Sequence, residues 1–244
     1  MIPRYAGPGR RRRAKKAWKK VTYAMSRQAL ASANTRLGGY VGAELKYVDQ
    51  QVLGRVVSNS VTTADQDPAT VLCLNGCAQG TGQSQRLGLR AVFKSLDIRG
   101  QIQWQSGFTQ GDYVRILVFV DKQTNGAQYN EIDVLLDVGG TGYDTCAQRN
   151  LECKNRFQIL SDKTYTPRGN PGHYWNGSVA ATAAYVQPFR IFKKLGGKKG
   201  LVTRFLSTGG NIADIADNSI HIMALSTTTS TNVGYISRCR FYAD

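Results

Sequence analysis

The chain has 244 residues, 41% of them hydrophobic, enough for one sizeable β domain with its own core. It carries 32 Lys and Arg against 16 Asp and Glu, a formal charge of +16, which excludes an acidic disordered chain and points to a polyanionic partner. No apolar run is long enough to span a bilayer and no apolar stretch follows the basic N-terminus, so neither membrane insertion nor a secretory signal is expected.

The excess charge is concentrated. Residues 1–36 contain Arg4, Arg10, Arg11, Arg12, Arg13, Lys15, Lys16, Lys19, Lys20, Arg27 and Arg36 and no acid, so these 11 charges leave 21 basic against 16 acidic residues, +5, on residues 37–244. Residues 1–13, with two Pro, two Gly and five Arg, cannot bury a face and are expected to be disordered. Over residues 14–34, Ala14, Ala17, Trp18, Val21, Met25 and Ala29 recur at helical spacing with Lys between them, predicting an amphipathic helix that stops before Gly38-Gly39. The sequence thus divides into a basic arm, 1–36, and a body, 37–244.

The arm's cations Arg4, Arg10, Arg11, Arg12, Arg13, Lys15, Lys16, Lys19, Lys20 and Arg27 are the expected nucleic-acid contacts, because Arg and Lys neutralise phosphates and release counterions without reading sequence. Tyr5 and Trp18, with Tyr23, can stack on unpaired bases, which favours single strands; Trp18 and Tyr23 serve equally well to pack the helix. The arginine block also has the form of a nuclear import signal.

After Gly39 the text is β-like. Strands are expected at Glu44–Val57, Thr70–Leu74, Arg86–Gln105, Tyr113–Asp121, Phe157–Tyr165, Tyr185–Leu195, Ser219–Ser226 and Val233–Tyr242, joined by long connections at 122–150, 166–184 and 196–218. Eight strands without alternating helices argue for a sandwich, jelly roll or barrel and against an α/β fold. The segment Lys193–Gly200, with four lysines around a Gly pair, is either a solvated turn or a site for phosphate or a sulphated sugar.

No catalytic constellation emerges, and an enzyme is not expected. His173 and His221 stand alone; His221 lies in an apolar strand and reads as a satisfied structural histidine. No serine sits in G-x-S-x-G, and no Walker or dinucleotide motif occurs. The five cysteines, Cys73, Cys77, Cys146, Cys153 and Cys239, are odd in number and lack CxxC, so free thiols without a metal are expected. The pairs Asp65/Asp67 and Asp214/Asp217 are read first as turn formers; a structural Ca²⁺ at subunit contacts is the other reading.

A basic arm followed by eight antiparallel strands carries a resemblance, borne by Glu44-Leu45-Lys46-Tyr47-Val48-Asp49 after the arm, Gly80-Thr81-Gly82 with Arg86-Leu87-Gly88 and Ser95–Gly100, then Val114–Gln123, Arg156–Lys163, Asn218–Ile222 and the closing Cys239–Asp244. In order and spacing this resembles the capsid proteins of circular Rep-encoding single-stranded DNA viruses, both circovirus-like and geminivirus-like, and the satellite tobacco necrosis virus coats. The resemblance implies an eight-stranded jelly-roll sandwich, self-assembly into a 60-subunit T=1 shell, and single-stranded DNA packaged by the arm, with the virion and the host nucleus as its locations. A host receptor or glycan would be a further partner, of a chemistry these residues do not specify. The alternatives are a non-viral β-sandwich nucleic-acid-binding module and the coat protein of a single-stranded RNA satellite virus.

Overall fold

A computed structural model of the chain describes residues 45–57, 73–104, 113–136, 145–166, 185–227 and 231–243. The arm, with its expected disorder over 1–13 and helix over 14–34, lies outside them, as do His173 and the pair Asp65/Asp67.

The described chain is nearly all β. It forms β1 (Leu45–Val57), β2 (Arg90–Trp104), β3 (Val114–Asp121), a single helical turn α1 (Glu131–Val134), β4 (Phe157–Tyr165), β5 (Tyr185–Lys194), β6 (Leu201–Phe205), β7 (Ile215–Asp217), β8 (Ser219–Ser226) and β9 (Thr231–Ala243). All pairings between named strands are antiparallel. The larger sheet runs β1-β9-β2-β6-β7, with β5 also paired to β2, and the smaller runs β4-β3-β8.

The two sheets share one core, the arrangement of an all-β sandwich. Phe93, Leu96, Ile98, Ile102 and Trp104 of β2 and Phe189 and Ile191 of β5 pack with Val114, Ile116, Val118 and Val120 of β3 and Ile220 of β8. The alternation along β2 and β9 follows from the period-two geometry of a strand with one face buried. At Gly100 a Cβ would lie 2.5 Å from both the Gly234 carbonyl oxygen and the Phe189 ring, so the absent side chain makes room for the phenyl ring.

β3 is buried along nearly all its length because the smaller sheet is covered on both sides. Its other face, with Leu117 and Phe119, packs under Tyr129, Val134 and Leu135, joined by Phe157 of β4 and Met223 and Leu225 of β8. Asn150 N donates to the Val134 carbonyl at 3.0 Å and Leu136 N to the Gln148 carbonyl at 2.7 Å, tying this cover together.

Several expectations need correction. β6 and β7 lie within 196–218, read as a connection: each is short and is held by its neighbour in the sheet rather than by its own patterning. Cys73 and Leu74, the described end of the expected strand Thr70–Leu74, are not strand. They open a turn in which Gly76 N reaches the Cys73 carbonyl, and Leu74 N donates to Ile220 O at 2.8 Å. Residues 86–89 precede β2 rather than opening it, because Arg86 turns inward to bind loop carbonyls.

Candidate nucleic-acid interface

The expected nucleic-acid contacts Arg4, Arg10, Arg11, Arg12, Arg13, Lys15, Lys16, Lys19, Lys20 and Arg27, with Tyr5 and Trp18, lie outside the described residues. What the structure does place is the body's chemistry.

His221 on β8 is fully buried. Its Nε2 is 2.7 Å from Ser219 Oγ, which is 2.6 Å from Thr124 Oγ1. Its ring lies 4.8 Å from Tyr129 and 5.6 Å from Phe119, and Nδ1 has no hydrogen-bond partner among the described residues. The expectation of a satisfied histidine is therefore half right. Burial holds the imidazole at a pKa of about 4, against a smaller upward pull from Asp121. Asp121, also fully buried, is engaged elsewhere: Arg156 donates to it through Nε at 2.9 Å and Nη2 at 2.8 Å. Serine, histidine and aspartate are thus close, but among the described residues no carboxylate orients Nδ1, as a nucleophile's relay needs.

The acidic pair Asp214 and Asp217 is spent on local structure. Asp214 accepts from Ser207 Oγ and from Asn211 N at 2.9 Å, and Asp217 accepts from Arg204 Nε at 2.6 Å. Among the described residues no group of three or more His, Cys, Asp or Glu is placed to hold a metal ion. The five cysteines are free thiols. Burial pushes Cys73 and Cys77 up to about 12, while Cys146 is exposed.

The lysine-rich segment forms the turn between β5 and β6. Gly196, Gly197 and Gly200 take positive φ, and Gly200 N donates to the Gly196 carbonyl at 3.1 Å. Lys94 Nζ caps the turn, donating to the Lys199 carbonyl at 2.9 Å.

The open face of the larger sheet collects a second set of cations. Three registered rows cross β1, β9, β2 and β5. The first is Tyr47, Arg240, Ser95 and Lys194; the second is Asp49, Arg238, Asp97 and Phe192; the third is Gln51, Ile236, Arg99 and Arg190. Arg99, Arg190 and Arg238 keep 68%, 58% and 47% of their side chains exposed. Asp97 receives Arg190 through Nε at 2.9 Å and Nη2 at 3.0 Å, and Arg99 through Nη2 at 3.1 Å. Hydrogen bonding from Arg190, aided by Arg99, holds the Asp97 carboxyl below the usual carboxylate range. Asp49 receives both Nε and Nη2 of Arg238 at 2.7 and 2.6 Å, and Arg238 lies 4.6 Å over the Tyr47 ring.

Sequence reasoning missed this face. Its signal is the alternation in Asp97-Ile98-Arg99, Phe189-Arg190-Ile191 and Arg238-Cys239-Arg240-Phe241, where charged residues alternate with buried apolar ones. The chain matches no protein-family model and no curated protein sequence.

Proposed function

We propose that the chain is the coat protein of a small single-stranded DNA virus, assembling as a 60-copy T=1 shell and packaging its genome through the basic arm. The observation that carries the reading is the strand order joined to an arm of +11. Lettered B to I, a jelly roll places its strands as B-I-D-G and C-H-E-F. The order β1-β9-β2-β5 supports the first sheet, and β8-β3-β4, with Leu74 hydrogen-bonded to β8, supports the second. β6 and β7 are then additions within the G–H connection.

The charge distribution supports the same reading. A polycationic segment ahead of a body bearing +5 concentrates counterion release where a genome would lie. Purified protein should yield, by mass photometry, discrete particles of about 1.6 MDa, sixty times the 26.8 kDa chain. Their extracted cargo should be digested by DNase and survive RNase. Only monomers at every salt concentration, with or without nucleic acid, would refute assembly. Cargo sensitive to RNase alone would favour the satellite RNA coat, and nucleic-acid binding without particles the non-viral module.

A further inference from the structure

We propose that the open face of the β1-β9-β2-β5 sheet is a second nucleic-acid surface, borne by the body and separate from the arm, on which Arg99, Arg190, Arg238, Arg240 and Lys194 hold the phosphates of a single strand. The inference rests on the reading that the partner is nucleic acid.

The three rows bring five cations together with two carboxylates, Asp49 and Asp97. Both carboxylates are occupied by arginines, while Arg240 and Lys194 are exposed and make no ion pair with a described residue. Arg99 and Arg190 stand directly opposite each other, a placement that costs stability unless anions intervene. Asp97 supplies one anion; the surplus of three positive charges calls for more.

Residues two apart on a strand are about 6.7 Å apart and neighbouring strands about 4.8 Å apart, so these cations form a flat lattice rather than a closed cradle. A lattice suits a repeating anion. The carboxylates hold three guanidinium groups in position, leaving donors for phosphate oxygens.

Phe192, 47% exposed, offers a ring face on which an unpaired base can stack, and the Arg238 guanidinium lying over Tyr47 offers a second planar surface. This favours a single strand over a duplex. A second copy of the chain fits the face poorly, because a two-fold contact would set its positive surplus against itself.

The test is binding of the full chain to fluorescent oligothymidylate, measured by anisotropy over a series of salt concentrations. The triple variant Arg99→Gln/Arg238→Gln/Arg240→Gln should lower the slope of log K against log salt by about 2, from roughly 0.7 per lost phosphate contact. The matching Arg→Lys triple variant should keep the slope, separating charge from packing. Arg240→Glu alone, which breaks no ion pair, should weaken binding and lower the slope by about 1, and circular dichroism verifies that each variant is folded. A folded triple variant with unchanged slope, while Arg10, Arg11, Arg12 and Arg13→Gln loses affinity, overturns the proposal and leaves the arm's role intact. A triple variant whose particle mass changes while its slope does not makes the face an interface between copies and overturns it equally. Wild-type protein that does not bind the oligonucleotide overturns the proposed function itself.

Discussion

Arg86 is a fully buried cation with no carboxylate of the described residues paired to its guanidinium. Instead Nε donates to Cys77 O at 3.0 Å, Nη1 to Gly88 O, and Nη2 to Ser207 O and to Gly209 O at 3.2 Å, while the guanidinium lies 4.0 Å over the Phe205 ring. One side chain thus ties the loop before β2 to the loop after β6, supplying a donor to the buried Cys77 carbonyl and to the part-buried carbonyls of Gly88, Ser207 and Gly209. Arg86→Met should cost about 1–3 kcal/mol, the usual penalty for one buried carbonyl, that of Cys77, left without its donor. Denaturant midpoints check this, and a loss below about 1 kcal/mol would show the loops holding without it. His221 gives a pH dependence. Its folded pKa, about 4, lies below the ordinary 6.5, so the unfolded chain binds the proton more readily. Stability from this group is unaffected above 6.5, falls as pH drops toward 4, and has lost about 3 kcal/mol there. Against wild type, His221→Gln should flatten the slope of unfolding free energy between pH 6.5 and 4; an unchanged difference across that window would mean that His221 opens to solvent.

The β5–β6 turn shows what an element demands of single positions. At Gly200 φ is +89°, and a Cβ would fall 2.7 Å from Val92 Cγ1 and 2.9 Å from Phe93 O. At Gly197 φ is +59°, with nothing within 4 Å. Gly200→Ala should therefore destabilise by about 2–3 kcal/mol and Gly197→Ala by about 1, a ranking that thermal melts would reverse if the turn could shift. Much of the architecture was legible at this scale. β4 and β8 end at the residues that patterning predicts, and β3 within one, because each is a continuous β-rich run bounded by turn residues. β6 and β7 were not, since five and three residues carry too little period to stand out and are strands only through pairing. The basic sheet face was hidden for a related reason. Arg99, Arg190 and Arg238 are far apart in the chain, and only the register of β2 with β5 and β9 sets them side by side.

At the scale of the whole molecule, the excess charge and the described core lie in different stretches of sequence. The buried residues of the main core run from Val48 to Phe241, whereas 11 basic residues, with no acid among them, precede residue 37. On the proposed function, removing charge from the arm should change how much nucleic acid is packaged without changing how the body folds. Replacing Arg10, Arg11, Arg12 and Arg13 by Gln takes the formal charge from +16 to +12 and the arm from +11 to +7. If packaging is set by phosphate neutralisation, nucleic acid per assembled particle should fall by roughly the arm's loss, about a third, with the ratio of absorbance at 260 and 280 nm falling in step. The thermal melt should stay within a degree or two of wild type, because a segment with two Pro, two Gly and five Arg in thirteen residues has no apolar face to bury. A large drop in melting temperature would tie the arm into the fold of the body. Unchanged cargo with an unchanged melt would shift the packaging role to the body, where the cationic face of the larger sheet is an array of arginines among the described residues.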